Sequence, residues 1–271
     1  MELLRTPMCS GGPSPVRLSA TPDYRSPNEE SSTSLSKLPV RSVSHGSFVV
    51  TALRIVRRDG GSSSRGSSSK LPDRLLTLVR HGRTHANAGG LLQGHVDNEL
   101  DPIGIDQAAM LGPALVRVAP VARIISSPLR RAQQTATAIA EHCVTKVETD
   151  ARWIELDYGD YDGQPMTSIA PEVWTQWRAD AHFRPPGGES MAELDLRVRA
   201  AIDDLVRSSD GGHVVVVSHV SPIKAAVAWA LGVDIGVSWR TALDRASMST
   251  IRLHDVRPAL VTFNVTVHDE K

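Results

Sequence analysis

Cysteine is scarce in this chain, and its two copies, Cys9 and Cys143, lie far apart. That excludes a disulfide framework or a cysteine-rich zinc site and points to a reducing compartment, the cytoplasm by default. Net charge is lacking as well: 30 lysines and arginines balance 30 aspartates and glutamates. A neutral chain has no global pull toward nucleic acid or an anionic membrane, so neither is expected as a partner. Any charge that binds phosphate must then be concentrated locally. No apolar run approaches the roughly 18 residues that a membrane-spanning helix needs. Met1-Glu2-Leu3-Leu4-Arg5 leads into prolines and glycines without the apolar stretch of a secretory signal. No Gly-x-Ser-x-Gly sequence occurs, which removes the usual serine hydrolase. His81 and His85 have the spacing of a zinc motif, but Gly82 stands where that motif carries its glutamate base, so no metal is expected.

What the chain does hold is ordinary globular material, 41% hydrophobic and 22% charged. Its 271 residues suffice for one α/β domain of roughly 200 residues and an extra segment. The extra segment is residues 1–70, crowded with serine, proline and arginine and closing on Gly60-Gly61-Ser62-Ser63-Ser64-Arg65-Gly66-Ser67-Ser68-Ser69. Such composition buries too little apolar area to offset chain entropy, so disorder is expected. A regulatory or linker tail, a start codon set too far upstream and an organelle transit peptide would all read this way. One apolar patch, Phe48 to Val56, is long enough for a strand or a short helix.

Residues 71–271 form the expected domain. Leu75–Val79, Arg123–Ser126 and His213–Ser218 read as buried strands, with a closing pair at Ser249–Leu253 and Leu260–Val265 joined by a turn over Asp255–Pro258. Helical patterns fall between them, over Ile103–Val118, Arg130–His142, Glu189–Ser208 and Pro222–Leu231. Strands alternating with helices predict a three-layer α/β/α sandwich on a mostly parallel sheet. Ligands of such sheets bind beyond the carboxyl ends of the strands. There the sequence places Arg80-His81-Gly82-Arg83-Thr84, then Ser127-Pro128-Leu129-Arg130-Arg131, then His219-Val220-Ser221. Arginine suits a phosphoryl group because its planar fork holds two oxygens and keeps its charge. A neutral imidazole is a good nucleophile near pH 7, and a second, protonated one can bind the transferring oxygens.

Five blocks, in order, resemble the histidine phosphatase superfamily, which also holds the cofactor-dependent phosphoglycerate mutases. They are Leu78-Val79-Arg80-His81-Gly82-Arg83-Thr84 with Asn87 and Gln93-Gly94, then Ser126-Ser127-Pro128-Leu129-Arg130-Arg131-Ala132, then Ile154-Glu155-Leu156-Asp157-Tyr158-Gly159, then Pro186-Gly187-Gly188-Glu189-Ser190, and finally Val217-Ser218-His219-Val220. The resemblance implies a phosphoglycerate mutase-like fold with His81 as nucleophile, Arg80 and Arg131 as phosphate clamps, His219 as the second histidine and Glu155 as general acid. Asn87, Gln93, Gly94 and Val220 fall at substrate-contacting positions. Asp157, Asp160 and Asp162 crowd the same loop as Glu155 and compete for its role. His85 and His95 read as loop or rim residues, and Trp174 and Trp177 either as helix packing or as a substrate-pocket wall.

The reaction so implied is ping-pong hydrolysis of a small phosphorylated metabolite through a phosphohistidine, with no metal and no cofactor. For this Glu155 must hold a proton, which burial and neighbouring carboxylates favour. Two departures argue against a mutase-type phosphotransferase: Arg83 stands where the mutases carry glutamate, and the stretch from Gly163 to Gly188 has only Arg178 and Arg184 as cations. The blocks around Lys224 and Arg245 look most like the actinobacterial branch of α-ribazole phosphatases and broad-specificity acid phosphatases. A non-catalytic phospho-ligand binding module stands as the alternative of another class, and the pattern leaves room for a homodimer.

Overall fold

The computed structural model describes residues 74–208, 212–253 and 257–267. The segment 1–70 with its Phe48–Val56 patch, and the first half of the turn over Asp255–Pro258, lie outside them. Six runs rich in β-branched and aliphatic residues pair into one sheet: β1 (Arg74–Arg80), β2 (Val121–Ser126), β3 (Val147–Thr149), β4 (His213–Ser218), β5 (Met248–Leu253) and β6 (Ala259–Val265). Their order is β3-β2-β4-β1-β5-β6. The first four strands run parallel, and β5 and β6 extend the sheet antiparallel beyond β1. This is the mostly parallel α/β sandwich that the alternation of elements predicts.

Six α-helices accompany the described strands: α1 (His85–Ala88), α2 (Pro102–Val118), α3 (Arg130–Cys143), α4 (Pro171–Ala179), α5 (Met191–Arg207) and α6 (Val220–Leu231). The two-residue period of β4 shows why both sheet faces need helices. Val214 and Val216 join Leu76 and Leu78 of β1 in a core with Leu194, Val198 and Ile202 of α5 and Ile223 of α6. Val215 and Val217 join Val79 on the other face, against Leu111 and Leu115 of α2 and Ala136 and Ile139 of α3. All six residues of β4 are buried. Its unbroken valine run is the signature of a strand with no solvent face.

Local chemistry sets the boundaries that differ from expectation. The helix expected from Glu189 begins at Met191 because the Ser190 side chain accepts from the Glu193 N–H and Glu193 returns the bond to Ser190. The helix expected from Pro222 begins two residues earlier, at Val220. Pro222 sits in its first turn, where a missing N–H leaves no bond unmade. The three-residue strand β3 and the single turn α1 carry too short a pattern to be read from the sequence, while α4 bears out the helical reading of Trp174 and Trp177.

One contact couples this scaffold to the turn after β1. Gly82 and Gly104, the latter in the first turn of α2, pass so closely that a Cβ at Gly82 would sit 2.4 Å from the Gly104 carbonyl oxygen, and one at Gly104 only 2.0 Å from that of Arg83. Alanine normally stabilises a helix interior over glycine by about 1 kcal/mol. Here the neighbours are backbone and cannot step aside, so Gly104→Ala should instead destabilise by about 1–3 kcal/mol in urea unfolding. An unchanged or raised midpoint would show that the turn yields.

Candidate active site

Because β1, β2 and β4 are parallel, their carboxyl ends share one edge of the sheet. Register then decides what meets there. Arg80 pairs with Ser218, and the His81 N–H donates to the Ser218 carbonyl at 3.0 Å. His81 and His219, the next residues on each strand, are thus neighbours with ring centroids 5.1 Å apart and planes tilted by 56°. Both rings are buried.

His81 Nδ1 lies 2.7 Å from the Gly82 carbonyl oxygen. A carbonyl only accepts, so Nδ1 carries the hydrogen and Nε2 keeps its lone pair. Burial first, then the charges of Arg131 and Arg80, hold the pKa of His81 well below the usual histidine value. The ring is neutral near pH 7, as a nucleophile must be. His219 Nε2 lies 2.7 Å from the Ser127 hydroxyl, while its Nδ1 is buried without a partner. Burial, then Arg131, His81, Arg80 and Arg197, lower the pKa of His219 strongly as well. Burial and these cations oppose the charged form, and an arriving anion would favour it.

Of the two arginines at this edge, Arg131 is buried and Arg80 half buried. Arg80 donates to the Leu243 carbonyl and keeps Nε buried and unpartnered; burial brings its pKa down to about 10 against the opposing pull of Glu155. Arg131 is 1% exposed, donates to the carbonyls of Val96 at 2.7 Å and Gly94 at 2.8 Å, and also leaves Nε without a partner. Burial lowers its pKa too. Among the described residues neither guanidinium pairs with a carboxylate. With no carboxylate bonded to either, both keep donors that a bound anion can complete. Arg130, the other candidate in the same motif, is exposed and pairs with Glu99 at 2.7 Å.

Glu155 is 5% exposed, and its neighbours are not the carboxylates expected of it. Its carboxylate accepts from the backbone N–H groups of Leu156 at 2.8 Å and of Val220 and Ser221 at 3.1 Å each. The last two are the first residues of α6, so the acid sits on a helix N-terminus beside His219, its N-cap residue. Of the four acids in its loop, Glu155 alone lines the cavity described next. Asp157 accepts from Gly159 N–H, and Asp162 from His95 N–H.

A cavity of about 260 Å³ opens at this edge, lined by Arg80, His81, Asn87, Gln93, Gly94, Arg131, Glu155 and Val220. His219 lies fully buried beside His81. The Asn87 side-chain carbonyl accepts from the Thr84 N–H and hydroxyl, and that of Gln93 from the Thr84 hydroxyl and Asn98. Leu92, Tyr158, Met166 and Arg245 also line the cavity, and Ser127 holds His219. Ser127, Tyr158 and Arg245 stood inside recognisable blocks, but nothing in their spacing assigns a task to them. His85 is exposed on α1, and His95 is exposed at the rim, 3.0 Å from the Glu155 carbonyl. Trp177 is 1% exposed and packs in the core, and with Trp174 it also lines a second cavity. Among the described residues no helix is long and apolar enough to cross a membrane.

This arrangement has known counterparts. The family model of the histidine phosphatase superfamily (branch 1) matches residues 76–266. The chain belongs to this superfamily. Its sequence is 36% identical over 193 residues to a bifunctional protein of Mycobacterium tuberculosis, covering 70% of this chain and 52% of that protein. The chain thus spans about half the length of the first curated relatives it matches. It is 34% identical over 197 residues to phosphoserine phosphatase 1 of Hydrogenobacter thermophilus, covering 71% of this chain and 93% of the relative. Among solved structures, a mycobacterial glucosyl-3-phosphoglycerate phosphatase in complex with VO3 superposes with a TM-score of 0.67 at 33% identity, covering 71% of this chain and all of that one.

The buried histidines of this member leave a signature in stability. His81, His219 and His213 all have folded pKa values below the free value, His213 through burial offset by its bond to the Ala119 carbonyl. In the unfolded chain each titrates near 6.5, so below that pH the unfolded state binds more protons. Stability should be full above about pH 6.5 and fall toward pH 5, by up to about 1.4 kcal/mol per pH unit for each histidine. Urea unfolding at pH 7, 6 and 5 measures the slope, and a His81→Asn, His219→Asn double variant should flatten it. An equal slope in that variant would place the pH dependence elsewhere.

Proposed function

We propose that this protein is a phosphomonoesterase acting on small phosphorylated metabolites through a phosphohistidine on His81. The observation that carries the reading is a neutral imidazole with a free Nε2 lone pair in one cavity with two arginines that form no ion pair. In the first half-reaction Nε2 attacks phosphorus in line and the bond to the alcohol oxygen breaks. Arg80, Arg131 and His219 take the charge on the three equatorial oxygens, and the dianion gives His219 the counter-charge that its own surroundings deny it. Glu155 protonates the departing alkoxide. In the second half-reaction the same carboxylate takes a proton from water, whose oxygen bonds to phosphorus as the bond from phosphorus to His81 Nε2 breaks. The bond from Nδ1 to the Gly82 carbonyl keeps the ring in the tautomer that both steps need.

Hydrolysis fits better than transfer to a second alcohol. A mutase must hold its bisphosphate with added cations. Here Arg184 of the stretch after Gly163 pairs with Glu193, and Arg178 lies over the Trp174 ring at 5.7 Å. The names of the phosphatases matched above favour the same outcome. A non-catalytic binding module would leave p-nitrophenyl phosphate intact.

Two variants test the roles. His81→Ala should reduce kcat at least about a hundredfold, some 2.7 kcal/mol of barrier, and a brief incubation of the wild type should leave acid-labile phosphate on His81. A residual rate above that bound refutes covalent catalysis there. Glu155→Gln should lose about 10²- to 10⁴-fold in kcat/KM on an alkyl phosphate but far less on p-nitrophenyl phosphate, whose phenolate departs almost unaided. Equal losses on both would make Glu155 an electrostatic or structural residue.

A further inference from the structure

Beside the phosphoryl site lies a second cavity, of about 450 Å³, that none of the roles above uses. The two share Leu92, Tyr158, Met166 and Val220, so whatever leaves the first has a continuous wall into the second. The second is walled by the faces and edges of Trp174, Trp177 and Trp239, with Trp174 and Trp177 stacked at 5.5 Å and Trp239 edge-on to both. Its lining contains two cations, Lys224 and Arg178, and no acid. Lys224 is half buried, and its ammonium donates to one group, the Ser238 carbonyl at 2.9 Å, which leaves donor capacity unused. An ammonium with donor capacity to spare beside three indole rings describes the complement of a carboxylate on a flat body.

We infer that Lys224 makes the enzyme selective for phosphomonoesters whose alcohol carries a carboxylate on a ring-shaped or apolar body, the ring lying among the three tryptophans. The inference rests on the phosphatase reading for the position of the phosphoryl group. Scale supports it: Val220 borders both cavities, and Lys224 stands four residues, about 6 Å of helix, further along α6. That is close to the span of a para-substituted benzene ring. Burial and Arg80 weaken the lysine's hold on its proton while Glu155 supports it, so an incoming carboxylate relieves a real electrostatic cost.

The test compares phenyl phosphate with 4-carboxyphenyl phosphate on the wild type, Lys224→Met and Lys224→Arg. Wild type should favour the carboxylated ester about 10- to 100-fold in kcat/KM, chiefly through KM. Lys224→Met should shrink that ratio to within about threefold, and Lys224→Arg should restore part of it. Equal efficiency toward both esters on the wild type, or a preference that survives in Lys224→Met, overturns the assignment while leaving the phosphatase reading intact. If neither ester is hydrolysed, quenching of tryptophan fluorescence still decides. Tighter binding of the carboxylated ester by wild type and not by Lys224→Met supports the subsite and refutes hydrolysis, and equal binding refutes the subsite.

Discussion

The parallel pairing of β1 with β4 is the constraint on which the site depends. Arg80 stands opposite Ser218, so residues 81 and 219 leave the sheet side by side. A slip of one residue would turn every side chain of β4 to the opposite face and part the two histidines. The valine run makes such a slip costly, since Val214 and Val216 serve one core and Val215 and Val217 the other. The packing that stabilises the centre of the sheet is therefore also what aligns two imidazoles from positions 138 apart in the numbering of the chain, 81 and 219.

Around that pair the electrostatics are those of a site built to be completed by an anion. Two imidazoles and Arg131 are buried with the half-buried Arg80 beside them; burial lowers the basicity of all four, and the two guanidiniums lower that of both imidazoles further. The scaffold tolerates this because each arginine is anchored through part of its fork to backbone carbonyls, Arg80 to Leu243 and Arg131 to Gly94 and Val96. Such fixed donors need no reorganisation when charge moves onto a phosphoryl oxygen, the usual source of catalytic power in phosphoryl transfer. Substrate recognition is then free to lie elsewhere, along α6. Its first two N–H groups hold Glu155, and its second turn carries Lys224 into the tryptophan-walled cavity.

Much of this was legible beforehand. A strand of pure valine, an Arg-His-Gly turn directly after an apolar run and a second histidine directly after another are local patterns, and local patterns survive in one dimension. They gave the layered fold, the edge at which ligands bind and the identity of the two histidines. The choice between Arg130 and Arg131 was carried by the family motif, and the structure gives it a physical content: one guanidinium points to solvent and Glu99, the other is buried against the loop at Gly94.

What the sequence by itself determined, then, was which residues stand at strand ends, because periodicity and strand length are properties of short segments. What only the tertiary structure decided was the environment of each one. Burial and then the charges of Arg131, Arg80 and Arg197, from α3, β1 and α5, disfavour the charged form of His219, and Glu155 is held by N–H groups of a helix that begins 65 residues later, at Val220. Lys224, Ser238 and the three tryptophans meet although they come from α4, α6 and the short 3₁₀ turn after it. Desolvation and Coulomb interaction depend on distance in space, and separation along the chain carries no record of it.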